Sequence, residues 1–304
     1  MRTITSVNDI KTVMVAGAGT LGLRIALRCA LDGFKVKMFD ISEPQLKQAQ
    51  TMQARLLGGL LKDGKVSQAQ ADLVTVNLSV TSDIDYAVQD IDLISESVVE
   101  NVKIKQDFYA DLTPRLESGV IVTTNTSFLL PSQLLSSVKE PELFCALHFH
   151  DVFSQVVVDV MPHRTTSKQV VDVLMEFGKR INQIPVFVQK ESPGYMFNAM
   201  LMSILGQASE LLSNGVGSIQ DIDRSFMGNF GVPAGPFGMM DQIGLDTVWH
   251  IVSSQSDARS KEFAAIVKLY IDEGKLGYKS GEGFYKYPRA EFTHADFLKP
   301  QTLS

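Results

Sequence analysis

The chain has only two cysteines, no basic run longer than two residues, and no uninterrupted apolar stretch approaching the ~18 residues of a membrane span. Cys29 and Cys145 lie in helix-patterned and strand-patterned segments, where thiols pack as small apolar groups. No disulfide framework or redox centre is therefore expected. A net charge of −6 and a pI near 5.4 leave no electrostatic footprint for nucleic acid. The region before the first strand pattern carries Asp9 and Lys11 and lacks the apolar core of a secretory signal, so a cytoplasmic location is expected. With 45% apolar and 20% charged residues over 304 positions, the composition is that of a globular protein of two domains.

Glycine, by contrast, is concentrated where its spacing has a mechanical meaning. Gly17-Ala18-Gly19-Thr20-Leu21-Gly22 follows the apolar run Val13 to Ala16 and opens a helical pattern from Leu23 to Leu31. A second apolar run then ends in Asp40, 23 residues after Gly17. This is a dinucleotide fingerprint: Gly17 permits the turn, Gly19 the approach of a pyrophosphate, and Gly22 the packing of helix on strand. Thr20 and Leu21 lie in the first helical turn, whose amides face the phosphates. Asp40 would accept hydrogen bonds from the ribose 2′-hydroxyl and repel a 2′-phosphate, which favours NAD over NADP. Lys37 softens this preference only modestly.

Apolar runs alternating with amphipathic ones predict a mostly parallel sheet in an α/β, Rossmann-like N-terminal domain. Strands are expected at 12–16, 35–39, 73–76, 91–95, 120–123, 143–147, 156–160 and 185–188, with a helical excursion between Glu43 and Val66. Beyond Pro193-Gly194 the strand signals largely stop and helical spacing takes over, as in Met196 to Leu212 and Phe263 to Ile271. Residues 1–190 are read as an NAD-binding domain and 191–304 as a helical domain for substrate and dimerisation.

Six further motifs stand in order: Ile94 to Asn101, Thr124-Asn125-Thr126-Ser127, Leu147-His148-Phe149, Pro193 to Asn198, Gly235-Pro236-Phe237 with Gly244-Leu245-Asp246, and Gly281-Glu282-Gly283-Phe284-Tyr285. The set resembles the 3-hydroxyacyl-CoA dehydrogenase family over nearly the whole chain, closest to its branch of diketoreductase-like and gulonate 3-dehydrogenase-like reductases. The resemblance implies an NAD-dependent oxidoreductase, homodimeric, that interconverts 3-hydroxyacyl and 3-oxoacyl compounds. The substrate is a CoA thioester or, alternatively, a free 3-oxo or diketo acid or ester. A non-catalytic NADH-binding or structural member is an alternative of a different class.

Oxidising a secondary alcohol needs a base, donors for the developing alkoxide, and a placed nicotinamide. The resemblance makes His148 the base, with Ser127 and Asn198 as donors to the substrate oxygen, Asn198 from the second domain. Ser127 and Asn198 also have capping as alternative roles. Asp159 would orient His148, standing eleven residues after it where the family carries a glutamate one position further on. By strand alternation that shift would aim Asp159 away from His148 unless a residue is missing from the turn Asp151 to Gln155. Glu100, Lys105, Asp151 and Lys279 match positions near the cofactor, Asp151 replacing an asparagine at the nicotinamide ribose. Alternatively Glu100 is a helix N-terminal acid and Lys105 lies on a solvated helix face. His148, His150 and Asp151 could approach a metal, but no third well-spaced His or Cys appears, and no metal is expected. His150 is read as lining the substrate pocket.

Overall fold

The alternation of the first half folds as a doubly wound sheet. The structure, a computed structural model, describes residues 4–253 and 256–299. Its strands are β1 (Thr12–Ala16), β2 (Lys35–Phe39), β3 (Leu78–Thr81), β4 (Leu93–Glu96), β5 (Ile121–Thr124), β6 (Phe144–Phe149), β7 (Val157–Pro162) and β8 (Ile184–Phe187). They lie in the order β3-β2-β1-β4-β5-β6-β7-β8, every pairing parallel except the antiparallel β6–β7. The order reverses at β1–β4, the place where such sheets bind ligands beyond the carboxyl ends of their strands.

Crossovers are made by α1 (Thr20–Leu31), α2 (Glu43–Lys62), α3 (Gln68–Asn77), α4 (Ile84–Ala87), α5 (Val102–Leu112) and α6 (Lys168–Arg180). One expected strand is wrong: residues 73–76 are the last turns of α3, and the strand begins at Leu78. Ser67 and Gln70 form a reciprocal capping box that starts the helix, and Ala71 and Val74 are its buried positions. The β-branched residues 74–76 therefore sit in a helix, because the cap and the apolar face outweigh local strand propensity. Strands β1 and β4 are buried on both sides, which is why they read as continuous apolar runs.

The chain divides into two compact units, one ending at Met196 and one beginning at Phe197. The second contains α7 (Phe197–Ser213), α8 (Ile219–Phe230), α9 (Pro236–Ile243), α10 (Leu245–Ser253) and α11 (Ala258–Asp272) around Phe237, Met240, Phe263 and Phe284. Two buried carboxylates account for its motifs. Asp223 accepts from the amides of Phe237 and Gly238 at 2.9 and 3.0 Å, holding the first turn of α9 after Gly235-Pro236. Asp241 accepts from the amides of Phe284 and Tyr285 at 2.9 Å and from the Tyr287 hydroxyl at 3.0 Å. The motifs around Gly235 and Gly283 are thus backbone loops wrapped on acids, a role that needs no ligand chemistry.

Candidate active site

The fingerprint loop has the shape that its glycines predict. Gly17 has φ +103°, and a Cβ there would lie 2.4 Å from the carbonyl oxygen of Ser97. A Cβ on Gly22 would lie 2.0 Å from the carbonyl oxygen of Gly17, so helix and loop meet backbone to backbone. Before Gly19 the opposite holds: a Cβ would meet nothing within 4 Å. Gly19 is also the N-cap of α1 and provides no side-chain cap, which leaves the first-turn amides of Thr20, Leu21 and Gly22 for an anion. Open space, helix amides and glycine backbone together suit a pyrophosphate. Asp40, just past β2, accepts from Ala18 N at 2.8 Å and Ser42 N at 2.9 Å. Both oxygens keep acceptor capacity for a ribose hydroxyl. Lys37 is turned away, donating to the carbonyls of Tyr86 and Gln89.

Adjacent strands β5 and β6 deliver Ser127 and His148 at the carboxyl edge of the sheet. The parallel register sets Thr124 against Ala146, so the Ser127 loop and the end of β6 leave the sheet side by side. Three contacts join them. Phe149 N donates to Asn125 Oδ1 at 2.7 Å, the Tyr195 hydroxyl donates to the Thr126 carbonyl at 2.7 Å, and the Tyr195 ring stacks on His148 with centroids 4.6 Å apart. Tyr195 was not singled out from sequence. Its signal is local: it follows Pro193-Gly194 and takes φ +53°, a conformation that surrounding contacts must hold.

Asp159 is the direct cross-strand partner of His148 in the β6–β7 pair, and its Oδ2 lies 3.1 Å from His148 Nδ1. Counting alternation along the chain does not apply across a loop, because pairing decides which side chains share a face. The same oxygen lies 3.0 Å from His150 Nε2. Burial lowers the pKa of His148 below the ordinary histidine value, with the hydrogen bond to Asp159 opposing. Burial pushes Asp159 upward, yet the bonds from both histidines bring it below the usual carboxylate value. His150 faces His148 edge-on at 4.5 Å.

The acids after β4 brace this edge. Glu100 accepts from Ser127 N at 2.9 Å, from Phe128 N at 3.1 Å and from the Thr126 hydroxyl, so it shapes the serine loop. Lys105 is not on a solvated face: it is 1% exposed, and its Nζ bonds Glu96 Oε1 at 2.5 Å and the Val98 carbonyl at 3.2 Å, with Glu100 at 3.6 Å. Glu96, unassigned from sequence, also accepts from Val98 N, the Tyr109 hydroxyl and the Thr124 hydroxyl. An acid closing the buried strand Leu93–Glu96 was the available signal, since a buried carboxylate requires such partners.

Asp151 pairs with Arg24 of α1 at 2.8 Å and accepts from Phe153 N at 2.8 Å, fastening the loop after β6 to the fingerprint helix. Two of the expected residues lie in the second unit. Asn198 is the second residue of α7, and Lys279 donates to both oxygens of Asp246 at 2.6 Å. Burial pushes the thiol pKa values of both cysteines far up, in keeping with a packing role.

Comparison with known proteins bears on both units. The family model for the NAD-binding domain of 3-hydroxyacyl-CoA dehydrogenase matches residues 12–192, and that for the family's C-terminal domain matches 194–287. A probable 3-hydroxyacyl-CoA dehydrogenase of Caenorhabditis elegans is 30% identical over 293 residues, covering 93% of this chain and 98% of the relative. A solved structure of a diketoreductase, described as acting on dicarbonyl compounds, superposes with TM-score 0.87 at 35% identity, covering 94% of this chain and 100% of that one. The (S)-3-hydroxybutyryl-CoA dehydrogenase of Ralstonia eutropha gives TM-score 0.81 at 27% identity, with 92% and 100% covered.

Proposed function

Because the chain belongs to the 3-hydroxyacyl-CoA dehydrogenase family, an NAD-dependent family of oxidoreductases, we propose that His148, held by Asp159, is the base that interconverts 3-hydroxyacyl and 3-oxoacyl compounds. The observation that carries this reading is the 3.1 Å contact between His148 Nδ1 and Asp159 Oδ2 at the carboxyl edge of the sheet. That contact supports a catalytic over a non-catalytic member, because it pairs the two residues whose altered spacing favoured the latter.

When bound, NAD supplies the acceptor for the hydride that leaves C3 of the substrate. The glycine backbone of Gly17 and Gly19 and the amides of Thr20, Leu21 and Gly22 would hold its pyrophosphate, and Asp40 its adenosine ribose. At the reacting end, Nδ1 of His148 keeps its proton on Asp159, which leaves Nε2 to take the hydroxyl proton. The lowered pKa keeps the imidazole neutral and ready to accept. Asp159 then stabilises the imidazolium, while the Ser127 hydroxyl donates to the oxygen as its charge grows. In reduction His148 returns the proton. Glu100, Lys105 and Asp151 contribute at the nicotinamide end by fixing the loops after β4, β5 and β6.

The substrate handle is the finer question. We favour an acyl-CoA thioester over a free 3-oxo or diketo ester, a choice supported by full-length relatives named as 3-hydroxyacyl-CoA dehydrogenases. Comparing kcat/KM for acetoacetyl-CoA with that for a diketo ester tests the choice: acetoacetyl-CoA is expected to be the better substrate, and equally poor turnover of both contradicts the function.

We also read the chain as cytoplasmic and homodimeric. No helix among the described residues is long and apolar enough to cross a membrane. In the second unit, α7 and α8 border an apolar cavity of about 550 Å³ lined by Ile204, Leu211, Ile222 and Phe226, with Phe230 70% exposed at its rim. A second copy covering this face is the proposed occupant. Light scattering is expected to give a dimer, and Phe230→Asp a monomer. A monomeric wild-type protein would contradict the assignment.

A further inference from the structure

We propose that His148, His150 and Asp159 form a binding site for one zinc-class divalent ion, and that an ion held there switches the base off. The existence of the site does not depend on the oxidoreductase reading, whereas its effect on turnover does.

The backbone assembles the ligands. β6 sends His148 to one face of the sheet, His150 follows two positions on, and the antiparallel register puts Asp159 directly across from His148. One carboxylate oxygen then sits 3.1 Å from one imidazole nitrogen and 3.0 Å from the other. The three residues can each offer a ligand atom, with all of these atoms within 4.8 Å of one another. A tetrahedral zinc ion with bonds of about 2.0 Å separates its ligand atoms by about 3.3 Å. The two oxygen–nitrogen separations need widen by only a few tenths of an ångström, and the two nitrogens, within 4.8 Å of each other, would settle at the same spacing around the ion.

The donor chemistry points the same way. Two imidazoles and one carboxylate form an N/O set suited to zinc or cobalt rather than to magnesium or calcium, which prefer oxygen. His148 and Asp159 are each 2% exposed, so the ion would replace hydrogen bonds inside a largely dehydrated cluster. Three protein ligands leave a fourth position for water, the arrangement of open zinc sites. The sequence neighbour Asp151 does not serve as third ligand, because its side chain pairs with Arg24. The cross-strand carboxylate, visible only once β6 and β7 are paired, takes its place.

A ring nitrogen that ligates a metal carries no hydrogen, so a neutral imidazole bound through the nitrogen facing Asp159 holds its hydrogen on the other ring nitrogen. In His148 that places the proton on Nε2, the atom that must accept the substrate's hydroxyl proton. A zinc-loaded site is therefore unable to act as base.

Titration of the metal-stripped full-length protein with Co²⁺ and Zn²⁺ tests this. One Co²⁺ per chain is expected, with the visible absorption of a low-coordinate N/O site, displaced by Zn²⁺. His150→Phe is expected to weaken binding at least about 10-fold, with His150→Gln as a second variant and circular dichroism as the check on folding. NADH-dependent turnover of the wild type should fall with Zn²⁺ and return with EDTA, and turnover of the variants should resist Zn²⁺. Absence of saturable Co²⁺ uptake, or equal affinity in wild type and both His150 variants, overturns the site. Binding at the site without any effect on turnover overturns the switching. A protein that binds Co²⁺ as expected but turns over no 3-oxo compound even when metal-free refutes the oxidoreductase reading and leaves the site standing.

Discussion

His148→Ala is expected to lower turnover by about 10²- to 10⁴-fold, the usual contribution of a positioned general acid or base. NADH affinity should change only a few-fold, because the dinucleotide is held at the far end of the nucleotide site by the loop after β1 and by Asp40. That separation of effects distinguishes lost chemistry from lost folding. Asp159→Asn should also reduce turnover, for a different reason. An amide can donate to Nδ1, which favours the tautomer with its proton on Nε2 and so blocks the accepting atom. Steady-state kinetics on both variants, with NADH binding followed by fluorescence, makes the check. Turnover of His148→Ala within tenfold of wild type would remove His148 from the role of base.

Two alanine substitutions in the fingerprint loop should behave differently, as the separate roles of Gly19 and Gly22 require. Gly22→Ala drives a methyl group to 2.0 Å from the Gly17 carbonyl oxygen, a backbone atom with no rotamer to relieve the clash. Helix α1 must move away from the loop, so NADH affinity should fall by about 100-fold or more, ~2.7 kcal/mol, and thermal stability should fall with it. Gly19→Ala has φ −67° and open space before it, so the free protein should unfold within ~1 kcal/mol of wild type. Its methyl group occupies the space assigned to the pyrophosphate, and NADH affinity should fall at least about tenfold. Paired calorimetric melting and NADH titration separate the cases. Undiminished NADH binding by Gly19→Ala would refute the assignment of that space.

The contrast between Gly19 and Gly22 also marks how far the sequence could be read. Spacing located the loop, the strand before it and the acid after it, because each is a local consequence of backbone geometry. Local propensity failed at residues 73–76, where the capping box of Ser67 and Gln70, ahead of the buried Ala71 and Val74, commits the segment to helix. It also could not rank Lys105, an amphipathic side chain that suits a solvated face but is buried on Glu96, a partner on another element. The relation of His148 to Asp159 was legible only up to the loop between them. Parity along the chain raised a doubt that cross-strand pairing resolves, and the same pairing brings His150 onto the shared carboxylate. Tyr195, stacked on His148 and bonded to Thr126, depends on contacts far apart in sequence and left only its Pro-Gly neighbours as a trace.

The most direct test of the account follows the hydrogen itself. NADH carrying deuterium at C4 of the nicotinamide is incubated with the wild-type protein and acetoacetyl-CoA, and the product is analysed by mass spectrometry. With the appropriate C4 stereoisomer, the account predicts a 3-hydroxy product with one deuterium at C3, formed by the wild type and suppressed in His148→Ala. Saturable NADH binding with no label reaching C3 from either stereoisomer would contradict it.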